Sequence, residues 1–108
     1  MITPAKIQSV VDKIAREFKP EKIILFGSYA WGKPTEDSDV DKVIIKDVED
    51  TEELERKVSM ALFPRPFPID VLVYSPKSFY EKIHEDRNLF LEDVAINGIP
   101  LFTNYGNH

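Results

Sequence analysis

The sequence predicts an α/β protein of the α+β type, with a small mixed β-sheet and helices packed mainly on one face. Short β-branched or apolar runs alternate with segments of helical periodicity, and a short apolar run follows the last helix. The 108 residues are 43% hydrophobic and 31% charged, without a low-complexity tract. These values fit a single domain over residues 1–108.

In the first half of the chain, apolar residues at helical spacing predict a helix that follows the N-capping Thr3 and ends near Pro20. A short apolar run interrupted by Gly27 predicts a strand that enters a turn. The predicted elements of this half are that helix, a strand at 22–26, a short helical turn at 29–31, a strand at about 39–45 and a helix at 51–62.

The second half begins with a stiff connector, because the three prolines of 63–68 remove backbone donors and restrict the residues before them to extended geometry. Asn97-Gly98 then marks the end of the last helix. The elements predicted after the connector are a strand at 69–74, a helix from 75 to about 85, a helix at 89–96 and a short strand at 99–102.

Charge and composition limit the classes of partner. The net charge of -5 disfavours nucleic acid as the main partner, because phosphate backbones are bound chiefly through excess Lys and Arg. Without cysteine the chain has no disulfide framework or thiolate metal site. No segment resembles a signal peptide or approaches the roughly 20 apolar residues of a membrane span, so we expect a cytoplasmic protein that does not bind membranes.

One motif indicates phosphate chemistry. Gly27-Ser28 is separated by ten residues from Asp39-Val40-Asp41, with an apolar run on each side of the combination. A Gly-Ser turn lets backbone amides and a hydroxyl approach a polyanion, and carboxylates two residues apart on a strand share a face. Such paired oxygens suit magnesium, whereas the alternative interpretation is a pair of solvated acids at the start of a strand.

Asp70 is the third candidate carboxylate. It stands near the start of an otherwise apolar strand, where an acid is costly unless it is solvated, paired or bound to a metal. Three acids from two adjacent strands match the requirement of two-metal nucleotidyl transfer.

These residues carry a resemblance to a known family. Gly27-Ser28-Tyr29-Ala30-Trp31-Gly32, Ser38–Asp41 and Ile69–Val73 resemble the signature of the DNA polymerase beta-like nucleotidyltransferase superfamily. More narrowly, the chain looks like the minimal nucleotidyltransferases, which are often antitoxins paired with a HEPN-domain toxin. The resemblance implies the polymerase beta-like fold and transfer of AMP from ATP to a tyrosine of the partner toxin.

The resemblance also implies residue roles. Gly27 and Ser28 would hold the triphosphate, Asp39 and Asp41 would bind two Mg²⁺ ions, and Asp70 would be the third carboxylate. Relatives often carry an arginine within the segment that 29–31 occupies here, and Lys33 is the residue that can replace it in contacting the triphosphate.

Two alternatives remain open. One is a non-catalytic antitoxin that neutralises its partner by binding alone, an option motivated by Trp31 and Lys42. For either activity, a homo-oligomer and a hetero-oligomer both stay open. Lys42 follows the second acid, where the family is usually apolar, so it has to snorkel to solvent, pair with an acid or lie at an exposed part of the sheet. The other alternative is a nucleotidyltransferase acting on a small molecule or an RNA end, for which the chain looks short.

Overall fold

A computed structural model describes residues 3–27, 29–30 and 40–104, and it divides them into helices and strands close to those predicted. Of the helical turn predicted at 29–31, Trp31 lies outside the described residues. In the described part, the Ala30 N–H donates a hydrogen bond to the Gly27 carbonyl at 3.0 Å. In chain order the elements are α1 (Pro4–Phe18), β1 (Lys22–Phe26), β2 (Val40–Ile45), α2 (Thr51–Ala61), β3 (Ile69–Tyr74), α3 (Pro76–His84), α4 (Leu89–Asn97) and β4 (Ile99–Thr103).

Each helix begins at a side chain that accepts a hydrogen bond from the first turn. The capping oxygen belongs to a residue in extended conformation, and it satisfies one of the backbone N–H groups that a helix leaves unpaired. The caps are Thr3 for α1, Asp50 for α2, Ser75 for α3 and Asn88 for α4. Local sequence therefore determines where the helices start.

The strands form one mixed sheet in the order β3-β2-β1-β4. β1 pairs antiparallel with both β2 and β4, whereas β2 pairs parallel with β3. The parallel pair requires a crossover, and α2 supplies it. The start of β2, the start of β3 and the end of β1 consequently lie at the same end of the sheet.

Both faces of the sheet are covered. On one face α1 and α2 pack on alternate strand residues, and this larger cluster includes Val11, Ile14 and Val58. On the other face a smaller cluster contains Phe26, Val43 and Val94 of α4, with Phe79 of α3 packed against it. The predicted fold class, a small mixed sheet with helices, is confirmed. The expectation that the helices pack mainly on one face is corrected, because α3 and α4 bury their apolar side chains on the second face.

Side chains cover the outer edge of β3. The carboxylate of Glu55 accepts a hydrogen bond from the backbone N–H of Val73 at 3.0 Å. Arg65 donates to the carbonyl of Ile69 at 3.2 Å. Unpaired groups on an edge strand are a template for pairing with another chain, and these two contacts reduce that exposure.

Within the part of the chain that the structure describes, no helix has the length and apolar character needed to cross a membrane.

Candidate functional site

Asp41 and Asp70 are neighbours across the β2-β3 pair. They are register partners in the parallel ladder, so their backbones lie about 4.8 Å apart and their side chains project from the same face. This is the face of the smaller cluster, since Val43 and Leu72 follow them two residues later. Asp41 is half-buried and Asp70 is exposed. Water therefore solvates the Asp70 carboxylate, which makes an acid tolerable on the otherwise apolar β3.

Gly27 lies beside Asp41, in the turn after β1. It follows Phe26, the register partner of Asp41 across β1-β2, and has a φ of +79°. A Cβ built on Gly27 would lie 2.5 Å from Asp41 Oδ2. Both the left-handed backbone and the close approach of this carboxylate therefore require glycine at the turn.

Several predicted site residues lie outside the described residues. These are Ser28, Lys33 and Asp39, together with Trp31 of the same segment. Of the predicted set, the structure thus brings together Gly27, Asp41 and Asp70. Among residues 3–27, 29–30 and 40–104, no group of three acids or histidines is placed to hold a metal ion.

The described residues nevertheless fit a hard divalent cation. Asp41 and Asp70 offer carboxylate oxygens from paired strand positions, and such oxygens are the ligands that Mg²⁺ prefers. Gly27 leaves the space beside Asp41 Oδ2 that a side chain would otherwise fill. The donor set is therefore compatible with the magnesium that the sequence predicts.

Lys42 points away from the carboxylates, as strand alternation predicts, but the prediction that it reaches solvent or a paired acid is wrong. Its side chain has 0% exposure, and Nζ has no hydrogen-bond partner among the described residues. Nζ lies 5.8 Å from the centre of the Phe67 ring, within range of a cation–π contact. β2 is an inner strand whose face is covered by helices, so a lysine at this position has no route to water.

Burial changes the chemistry of this ammonium group. Loss of hydration lowers the pKa of Lys42 from 10.5 to about 8, and the charge of the neighbouring Asp41 opposes this only in part. This ammonium group lies on the face of β2 opposite to the Asp41 carboxylate.

Two cavities lie at different places on the sheet. One of about 450 Å³ is lined by Asp70, Arg65 and the turn between them, including Phe67. A larger one of about 750 Å³ lies between α3 and α4, over Ile24 and Ile45. Ile45 is at the opposite end of β2 from Asp41, roughly 13 Å away at strand rise, so the larger cavity is separate from the carboxylates.

An aromatic pair flanks the site on the β1 side. The rings of Phe26 and Phe90 meet edge to face, with centroids 5.3 Å apart and planes at 80°. Sequence reasoning did not single out Phe90. The sequence feature that could have indicated it is the high apolar content of α4. This helix has more large apolar residues than one buried face can hold, and Leu89, Phe90 and Ile96 are exposed.

Comparison with known proteins points to one domain family. The family model of the nucleotidyltransferase domain matches residues 7–66, which include Gly27 and Asp41. No curated protein matches the chain in sequence. Similar solved structures do exist, and their likeness at these identities concerns the fold.

A crystal structure of a candidate nucleotidyltransferase from Sulfolobus solfataricus is 22% identical, with a TM-score of 0.54, covering 91% of this chain and 78% of that one. A toxin-antitoxin structure with AMP-PNP is 23% identical, with a TM-score of 0.59, covering 91% of this chain and 74% of that one. A mutant of the toxin-antitoxin pair MntA-HpeT is 23% identical, with a TM-score of 0.54 and coverages of 91% and 74%.

Proposed function

This chain belongs to the nucleotidyltransferase domain family, and we propose that it transfers AMP from ATP to a hydroxyl group, with magnesium as cofactor. In the fuller form of the proposal, the hydroxyl belongs to a tyrosine of a HEPN-domain toxin and the chain is the antitoxin of that pair. We further propose that residues 1–108 form one cytoplasmic nucleotidyltransferase domain.

The observation that carries the proposal is the pairing of Asp41 with Asp70 beside Gly27. Two carboxylates from adjacent strands face one space, and the turn after β1 approaches one of them without a side chain. This arrangement supplies negative oxygens on one side and a glycine turn on the other. A nucleoside triphosphate with its metal ions needs both kinds of contact.

In this proposal the triphosphate lies on the β1 side. Gly27 and Ser28 contact it through backbone amides and a hydroxyl, and Lys33 adds a cation. Asp39, Asp41 and Asp70 would hold magnesium, which when bound neutralises charge on the phosphates and on the leaving pyrophosphate.

The acceptor enters on the β3 side, where Asp70 is exposed and adjoins the cavity that Arg65 also lines. Asp70 accepts the proton of the acceptor hydroxyl while the hydroxyl oxygen forms a bond to the α-phosphorus of ATP. The bond from that phosphorus to the pyrophosphate oxygen breaks, and pyrophosphate leaves. Positioning and charge neutralisation provide most of the acceleration, because the protein forms no covalent intermediate.

A protein acceptor is supported by two observations. The known structures with this fold include toxin-antitoxin pairs, one of them with AMP-PNP. The described residues also expose large apolar side chains on α4, with Leu89 75% and Ile96 71% exposed. Exposed apolar groups of this size are typical of surfaces that contact another protein.

The proposal is tested by mixing the protein with Mg²⁺, ATP labelled on the α-phosphate and the product of the adjacent gene. We expect label on the partner chain and a mass increase of one or more adenylates on a tyrosine. Asp41→Asn should abolish labelling while circular dichroism and thermal melting show a folded protein. Full labelling by this variant would contradict the site assignment.

The same experiment separates the alternatives. Neutralisation of the partner without any transfer of label, equal for wild type and the Asp39→Asn, Asp41→Asn double variant, would favour an antitoxin that acts by binding alone. Label on a small molecule or an RNA end would favour a different acceptor for the same chemistry.

A further inference from the structure

Phe90 is an exposed aromatic ring on a rigid support. It is the second residue of α4, and 47% of it is exposed, whereas the Phe26 ring against which it packs is 8% exposed. The α4 N-terminus is fixed by the Asn88 side chain, which accepts a hydrogen bond from the Leu91 N–H at 3.0 Å. Because Phe26 contacts the Phe90 ring edge to face, part of the Phe90 ring surface stays free for a further aromatic partner.

The position of this ring relates it to the carboxylates. Phe26 is the register partner of Asp41, its side chain lies on the same sheet face, and the next residue is Gly27. Since neighbouring strands are about 4.8 Å apart and the two rings 5.3 Å, Phe90 lies on the order of 10 Å from Asp41. A single nucleoside spans such a distance. Phe90 also lies on the β1 side, opposite to Asp70.

Of the two exposed residues at the start of α4, only Phe90 can stack on a base. Leu89 is more exposed, at 75%, but it is aliphatic and has no π-face. Stacking on an aromatic side chain accepts any base and is favoured by a larger ring system. Such a platform would bind purines more tightly than pyrimidines, because a bicyclic base covers more of the phenylalanine ring.

We propose that Phe90 is the platform on which the base of the bound nucleotide stacks, with Phe26 as its support. The inference rests on the proposed nucleotidyl transfer, and it adds the base-binding residue to that site. The base lies over α4, the phosphates extend past Gly27 toward Asp41, and the acceptor side at Asp70 stays open.

The test is binding of two probes, ATP and inorganic tripolyphosphate, measured by calorimetry in the presence of Mg²⁺. Tripolyphosphate has no base, so Phe90→Ala should leave its affinity unchanged and weaken ATP by about tenfold. Phe90→Trp should retain ATP affinity. Tyr80→Ala, an exposed aromatic residue of α3 beside the larger cavity, is the matched control and should bind both probes like wild type.

Two further measurements protect the test from a folding artefact. Phe90→Leu keeps an apolar contact with Phe26 but lacks a π-face, so it should melt close to wild type and still lose ATP affinity. In wild type, the adenine protons should shift upfield by ring current in NMR spectra, and this shift should disappear in Phe90→Leu.

The platform is contradicted if Phe90→Leu binds ATP within about twofold of wild type, if both probes weaken equally, or if the ring-current shift persists in the variant. A different result would count against the proposed function: wild type binding neither ATP nor tripolyphosphate. ATP binding that depends on Phe90 but leads to no transfer would uphold the platform and contradict catalysis alone.

Discussion

Gly27 and Asp41 face each other so closely that a Cβ on the glycine would lie 2.5 Å from the carboxylate Oδ2. The contact joins the turn after β1 to the start of β2, which are brought side by side by antiparallel pairing. It explains how the predicted glycine and the predicted acid come into contact, although a loop separates them along the chain.

The first prediction concerns this contact. Gly27→Ala should lower stability by about 1–2 kcal/mol, because the φ of +79° is left-handed, and should displace the Asp41 carboxylate. We expect nucleotidyl transfer to fall more than the fraction of folded protein does. Activity and thermal melting of the purified variant provide the measurement.

A double-mutant cycle separates the two causes. In an Asp41→Ala background, the same glycine substitution should destabilise less, because the clashing carboxylate is absent. Equal destabilisation in both backgrounds would show that backbone conformation alone makes glycine necessary.

The second prediction concerns Asp70. Asp70→Asn removes a proton acceptor and one negative charge, so kcat for transfer should fall by roughly a hundredfold or more. ATP binding in Mg²⁺ should change less, because the triphosphate is assigned to the β1 side and Asp39 and Asp41 remain to hold magnesium. Asp47→Asn, at an exposed position after β2, is the matched control and should behave like wild type. Wild-type turnover by the Asp70 variant would remove Asp70 from the site.

The third prediction concerns the buried Lys42. Lys42→Met should stabilise the protein at pH 7 by about 3 kcal/mol, because the pKa of Lys42 is lowered from 10.5 to about 8 by burial. Chemical denaturation in the presence of EDTA measures this. Lys57→Met, at an exposed position of α2, should have little effect.

The sign of the pH dependence follows from the same lowered pKa. Between pH 8 and 10.5 the unfolded state retains the Lys42 proton and the folded state releases it, so wild-type stability should rise with pH across this window. The rise attributable to this residue should be absent from Lys42→Met. A wild type and a variant with parallel stability profiles would contradict the burial of a charged Lys42.

The fourth prediction concerns the edge of β3. Glu55→Ala with Arg65→Ala removes the side chains that bond to Val73 N–H and the Ile69 carbonyl. We expect a loss of about 1–3 kcal/mol and increased self-association, because the edge then exposes unpaired backbone groups. Sedimentation velocity over a range of concentrations measures the association. Glu52→Ala with Arg56→Ala, two exposed positions on α2, provides the control.

The sequence by itself determined the local features of this protein. The predicted cap Thr3 starts α1 because its side chain accepts a hydrogen bond from a nearby backbone N–H group. Strand alternation places Lys42 on the face opposite to Asp41. Such features depend on residues a few positions apart, so periodicity and composition are enough to predict them.

Tertiary structure decided what depends on pairing between distant segments. The register of β2 with β3 sets Asp41 beside Asp70, and one residue of slippage would send these side chains to opposite faces. Packing of α1 and α2 over an inner strand buries Lys42, which its own sequence neighbourhood does not predict. The contact of Phe90 with Phe26 likewise joins the last helix to the first strand, so the chain reveals it only after folding.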